Sequence, residues 1–268
     1  MNQESSNLLV VKDLEVTVPR NRATAQKILR GIGFSIGQAE RVGLLGESGS
    51  GKSTCARALL RLLGEDLEVR GQVCFEGQDL FTLPAAKLRQ IRPRIQMIFQ
   101  DPFSSFDPRQ KVADALTEVL RVHFRPNLAT VRTRVSTALV EVGLNDDFLL
   151  KTPAQLSGGQ LQRVSLARAL LFEPKILIAD EAVSALDLSL QAQIVTLLSE
   201  LSVKRKMSVL FISHDLRLVR YFCDRVLVLH GGAIVESGEV EEVFVRPQAQ
   251  YTKELIQAAI HGKAAVPN

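Results

Sequence analysis

The chain has no tryptophan, only two tyrosines and only three cysteines among 268 residues. The thiols of Cys55, Cys74 and Cys223 stand far apart with no C-x-x-C pair. That spacing excludes a disulfide framework, makes a metal cluster improbable, and suits reduced side chains in a cytosolic protein. Long apolar runs are missing too, so membrane work would require partner chains. The start, residues 1–7, is polar and lacks the basic flank and apolar stretch of a signal peptide. Charge of one sign is scarce: the formal net charge is +4 and the basic residues are scattered, which argues against a dedicated nucleic-acid surface. Internal repeats and low-complexity segments are absent. What is present is apolar bulk, 46% of residues, enough for a packed globule of one large α/β domain or two modest ones.

Alternation over residues 8–18 and 32–36 predicts strands, and the polar stretch 19–26 between them reads as a hairpin connection. The apolar run 41–45 then meets a glycine-rich turn, and a helix is expected over 52–63. Past Gln100 the texture changes: two prolines and small polar residues lead into helical spacing over 112–122 and 131–142, so 101–163 reads as a largely helical insertion. Strands are predicted at 176–179, 209–213 and 226–229, with helices at 190–201 and 216–222. Such alternation implies parallel strands covered by helices on both faces. A turn at Gly231-Gly232 and a last amphipathic helix from near Thr252 complete the chain.

Three segments carry chemistry. Gly46-Glu47-Ser48-Gly49-Ser50-Gly51-Lys52-Ser53 fits the G-x-x-x-x-G-K-[ST] phosphate loop. In that pattern backbone N–H groups curl around phosphate oxygens, Lys52 brings positive charge to the β and γ phosphates, and Ser53 offers an oxygen to Mg²⁺. The run Ile176-Leu177-Ile178-Ala179 delivers Asp180 and Glu181 to a strand's C-terminal edge, where open α/β sheets bind ligands. There Asp180 would serve Mg²⁺ and Glu181 would accept a proton from water; a solvated loop start is the competing reading. Leu156-Ser157-Gly158-Gly159-Gln160 opens a helical stretch, 161–171, as a second anion-seeking N-terminus, with a plain flexible turn as the alternative.

Taken together these segments resemble the ATP-binding subunit of ABC transporters over almost the whole chain. The resemblance implies a P-loop NTPase fold: a mainly parallel α/β core, an N-terminal antiparallel β subdomain and an inserted α-helical subdomain near 101–163. The ATP-binding domain would span 8–247, with a short helical tail over 248–268. ATP would be held by Gly46, Glu47, Ser48, Gly49, Ser50, Gly51, Lys52, Ser53 and Thr54. Ser157, Gly158, Gly159 and Gln160 would close on the ATP of a second subunit. Ser53, Gln100 and Asp180 would hold Mg²⁺, with Gln100 also sensing the membrane partner; Lys52 and Glu181 would catalyse, His214 would contact the γ-phosphate as the switch histidine, and Asp187 would link two active sites. His123, His230 and His261 have no metal-ligand spacing and read as structural or solvated. One position departs from the family: Val18 stands where an aromatic residue stacks on adenine.

Residues Phe99 to Arg109 resemble importers of dipeptides, oligopeptides and nickel, although Phe106-Asp107 replaces the usual leucine and asparagine. Arg246-Pro247-Gln248-Ala249-Gln250-Tyr251-Thr252 resembles that group's Pro-x-His-Pro-Tyr-Thr with its histidine and second proline replaced. Ala182 in place of proline, the segment 213–219 and the short tail are most similar to the ATP-binding subunits of nickel importers; peptide, opine and chelated-metal import stay open. The resemblance implies a second, paralogous ATP-binding subunit, two transmembrane permease subunits, and indirectly a periplasmic or extracellular solute-binding protein. No nucleic acid is expected, and the place of work is the cytoplasmic face of the inner membrane. A soluble ABC ATPase acting on ribosomes, DNA or iron–sulfur assembly, and a nucleotide-dependent regulatory module without turnover, are the competing classes.

Overall fold

Alternating apolar side chains set the first strands. In a computed structural model, which describes residues 7–19, 25–123 and 128–260, β1 (Asn7–Val18) buries Leu9, Val11, Leu14 and Val16, and β2 (Gln26–Gly37) buries Leu29, Ile32, Phe34 and Ile36. The connection expected at 19–26 falls largely on 20–24, outside the described residues, as do the start 1–6 and 261–268 with His261. Chain order continues with β3 (Arg41–Leu45), α1 (Lys52–Leu59), β4 (Glu68–Phe75), β5 (Gln78–Asp79), α2 (Ala85–Ile91) and β6 (Ile95–Ile98). Then come α3 (Val112–His123), α4 (Leu128–Glu141), α5 (Gly158–Leu170), β7 (Ile176–Asp180) and α6 (Leu188–Arg205). The final elements are β8 (Ser208–Ser213), α7 (Leu216–Phe222), β9 (Arg225–His230), β10 (Ala233–Glu239), α8 (Val240–Val245) and α9 (Gln250–Ile260).

Two units divide these elements: Met1–Ala85 with Ser208–Asn268, and Ala86–Met207. In the first, β1 pairs antiparallel with β2 and β4, and β4 with β5. The same unit runs β3 parallel between β8 and β9, with Leu44 opposite both Ile212 and Leu227, and adds β10 antiparallel on β9. All six residues of β8 are buried, so the strand has no polar alternation and both its faces are covered. The second unit pairs β6 with β7 in parallel and holds α3 to α6; all five residues of β7 are buried. Each fully buried Ile, Leu or Val of such strands contributes roughly 1.5–3 kcal/mol.

Helix α7 covers the residues expected of it. Helix α1 does not reach residue 63 but stops at Leu59. Arg61 adopts φ +52°, the N–H of Leu62 bonds to Arg57 O at 2.9 Å and that of Arg61 to Ala58 O at 3.0 Å, a left-handed C-terminal closure built without glycine. The Arg61 guanidinium then donates to Leu80 O and Leu83 O at 3.1 and 2.8 Å, which holds the stop in place. Lys206 at φ +51° ends α6 the same way, with Met207 N bonded to Ser202 O. No helix among the described residues is long and apolar enough to cross a membrane.

Candidate functional site

In the first unit the phosphate loop joins β3 to α1. Gly51, at φ +107°, is the residue before the helix, and a Cβ there would lie 2.8 Å from Leu29 Cδ2. At Gly46 a Cβ would lie 2.3 Å from Leu229 O, so the loop sits directly against the backbone at the end of β9. Helix α1 carries no side-chain cap and no acid in its first turn, so the positive end of its dipole favours an anion. Lys52 is only 4% exposed, and its Nζ donates to Gly46 O and Glu47 O at 2.8 and 2.7 Å, placing the ammonium inside the loop's own ring. Ser53 and Thr54 follow, half-buried; Glu47, Ser48 and Gly49 are exposed, and Ser50 is buried. These features fit a nucleotide triphosphate.

The second unit holds the acids. Asp180 ends β7 at 2% exposure, and Glu181 follows at φ +45°, a left-handed backbone that costs a non-glycine residue of order 1 kcal/mol or more. Ser184 fixes this turn, its N–H and its Oγ both donating to Glu181 O at 3.0 Å. Gln100, two residues past β6, donates from Nε2 to Glu181 Oε2 at 2.9 Å, so the expected Mg²⁺ amide and the expected base are brought together. Among the described residues no group of three or more His, Cys, Asp or Glu is set to hold a metal. The amide oxygen of Gln100 and the carboxylate of Asp180, both in this unit, are donors of the kind that suit Mg²⁺, which keeps waters and substrate phosphate oxygens as its other ligands; Ser53 belongs to the first unit.

Ser157 caps α5. Its Oγ accepts from Gln160 N at 3.3 Å, and Gln160 Oε1 accepts from Ser157 N at 3.1 Å. The S-x-x-Q spacing is the signal that would have found this capping box in the sequence. Gly159 is buried, with room for a Cβ only 3.2 Å from Leu190, while Gly158 stands half-buried near Leu186. Asp187, expected in a linking loop, is the N-cap of α6: its Oδ1 accepts from Leu190 N at 2.9 Å.

His214 is exposed directly after β8, and its neighbour Asp215 accepts from Arg217 N at 2.8 Å to start α7. Burial pushes the Asp215 carboxyl up, but hydrogen bonds from Arg217 outweigh it and hold the group below the usual carboxylate range. His123 meets Phe172 edge-on at 5.1 Å, and His230 stacks on Tyr251 at 3.9 Å. Val18 is the last residue of β1, half-buried opposite Gln26. Sequence reasoning missed Arg168. Its guanidinium donates to Ser105 O at 2.6 Å and lies 4.1 Å over the Phe106 ring, so Phe106 is 7% exposed while Phe103 stays 50% exposed.

A family model described as ABC transporter matches residues 29–184, more than half the chain. The oligopeptide transport ATP-binding protein OppF of Streptococcus mutans is 43% identical over 259 residues, 96% of this chain and 83% of that one. The dipeptide transport ATP-binding protein DppF of Lactococcus lactis subsp. cremoris is 41% identical over 256 residues, covering 95% and 82%. Among solved structures, the ATP-binding cassette MJ0796, a dimer in a post-hydrolysis state bound to ADP and Pi, superposes with a TM-score of 0.77 at 28% identity, covering 87% of this chain and 98% of that one.

Proposed function

The chain belongs to the ABC transporter family, and on that footing we propose that it is the ATP-hydrolysing subunit of a peptide importer. The observation that carries the proposal is the phosphate loop, with its uncapped helix start and a lysine buried at its centre. A chain that only bound a phosphate would not need Glu181, a carboxylate held at a costly backbone angle beyond a buried strand. In the reaction Glu181 takes a proton from water as the oxygen attacks the γ-phosphorus in line; the bond to the bridging oxygen breaks, and ADP and phosphate leave. Lys52 and the N-terminal N–H groups of α1 neutralise charge on the phosphoryl oxygens. Ser53, Gln100 and Asp180 would hold Mg²⁺, which when bound neutralises further phosphate charge. His214 contacts the γ-phosphate, and Ser157 to Gln160 with Asp187 serve a second ATP-binding subunit. Two permease subunits complete the assembly at the cytoplasmic face of the inner membrane, with a solute-binding protein outside.

Peptide is favoured as the cargo because OppF and DppF are named for oligopeptide and dipeptide transport and match almost all of this chain. Nickel rests on Ala182 and the 213–219 segment, and a substrate would pass through other chains. The test is Glu181→Gln in the assembled transporter. ATP binding should persist while turnover falls about 10²–10⁴-fold, and uptake of labelled di- and oligopeptides should stop. Normal turnover in that variant would remove Glu181 as the base; loss of nickel uptake with peptide uptake intact would move the cargo to the metal.

A further inference from the structure

Tyr251 on α9 reaches the phosphate loop. Its hydroxyl oxygen accepts the N–H of Glu47 at 3.2 Å, 204 residues away in sequence. The ring is held from the other side by His230, stacked at 3.9 Å with 29° between planes. His230 ends β9 next to Leu229, whose carbonyl is the backbone that Gly46 approaches. The start of α9 is itself anchored: Glu236 of β10 accepts from Gln248 N at 2.7 Å and Ala249 N at 3.0 Å. Thr252, the next residue, is 2% exposed. Of the Pro-x-His-Pro-Tyr-Thr pattern, whose histidine and second proline are replaced here, the final tyrosine and threonine are retained, Tyr251 half-buried and Thr252 buried.

We infer that Tyr251 is a positioning residue for ATP binding: it pins the first turn of the phosphate loop through the Glu47 N–H, so that the C-terminal helix sets how well the loop is pre-organised for phosphate. The inference rests on the nucleotide reading of that loop. Pre-organisation is what the contact supplies, because a loop already held in its binding shape loses less freedom when the ligand arrives. Burial pushes the Tyr251 hydroxyl above its ordinary range, so it stays protonated and neutral beside the loop. Tyr251 touches no reacting atom, so its effect belongs in ATP affinity and not in the rate at saturation.

The experiment uses the full chain with Tyr251→Phe, which keeps the ring and removes one oxygen. Titration with a fluorescent ATP analogue should show affinity weakened about two- to ten-fold, the range of one neutral hydrogen bond. In the assembled transporter KM for ATP should rise with kcat unchanged. Hydrogen exchange at the Glu47 amide should quicken by a similar factor, with β3 and β9 unaffected. His230→Ala should shift affinity in the same direction, and Tyr221→Phe, on a side chain 65% exposed on α7, should shift nothing. Unchanged exchange at Glu47, or a fall in kcat with affinity intact, would overturn the inference. The exchange measurement needs no nucleotide, so a wild-type chain that binds no ATP would sink the nucleotide reading while this contact was still judged by itself.

Discussion

Two glycine-rich helix starts in this chain look alike on paper and are built in opposite ways. At Gly51-Lys52 the helix begins from a left-handed glycine, carries no side-chain cap, and surrounds a buried ammonium. At Ser157-Gly158 the helix is closed by its own capping box, with Ser157 exposed. The first carries no side-chain cap, as the proposed phosphate site requires. The second has satisfied part of its own need and stands exposed at Ser157. Glycine therefore marks both places for different reasons: permissive φ at Gly51, and at Gly159 a close fit against Leu190.

The largest test of that contrast is Lys52→Ala, which should lower ATP turnover about 10²–10³-fold in a phosphate-release assay, because it removes the ammonium whose Nζ donates to Gly46 O and Glu47 O at the centre of the loop. Gly51→Ala should act on both: φ +107° and the 2.8 Å approach to Leu29 predict a loss of about 1–3 kcal/mol in denaturant unfolding, together with lost ATP binding. Ser157→Ala should cost about 0.5–2 kcal/mol of stability yet leave ATP binding by the isolated chain intact. If that variant abolished binding in the isolated chain, the two helix starts would not differ in kind. Smallest is a control away from both. Burial pushes the Glu141 carboxyl up, but Arg205 and Lys204 donate to it and hold it below the usual carboxylate range. Its stabilising effect is full above the unfolded-state pKa and is lost as pH falls through the depressed folded value. Glu141→Gln should therefore flatten the acid limb of the stability–pH curve by less than about 1 kcal/mol.

Much of this was legible beforehand because the signals were local. Helix α7 follows Asp215, a capping residue, and stops where its apolar spacing stops; β7 and β8 are unbroken apolar runs. Other elements escaped. Strand β10 carries Glu236, Ser237, Gly238 and Glu239 and is at most half-buried, so no apolar alternation announced it. Strand β6 is four residues long and follows Pro93. The apolar Leu62-Leu63 extended the expected α1, because its stop depends on Arg61 taking a conformation that sequence assigns to glycine. Helix α6 begins at Leu188, earlier than its apolar spacing, since Asp187 acts as the cap. The phosphate loop and the Asp180-Glu181 pair were readable from spacing, whereas Arg168 over Phe106 and Tyr251 at Glu47 join residues 62 and 204 positions apart and leave no local trace.

The turn at Glu181 sets endurance against work. Glycine or asparagine would rest at φ +45° more comfortably than glutamate does. On the proposal that Glu181 is the base, a lineage selected only for resistance to heat would drift toward one of them and gain a tougher, idle chain. Keeping a carboxylate there means that selection for uptake has to act continually against that drift.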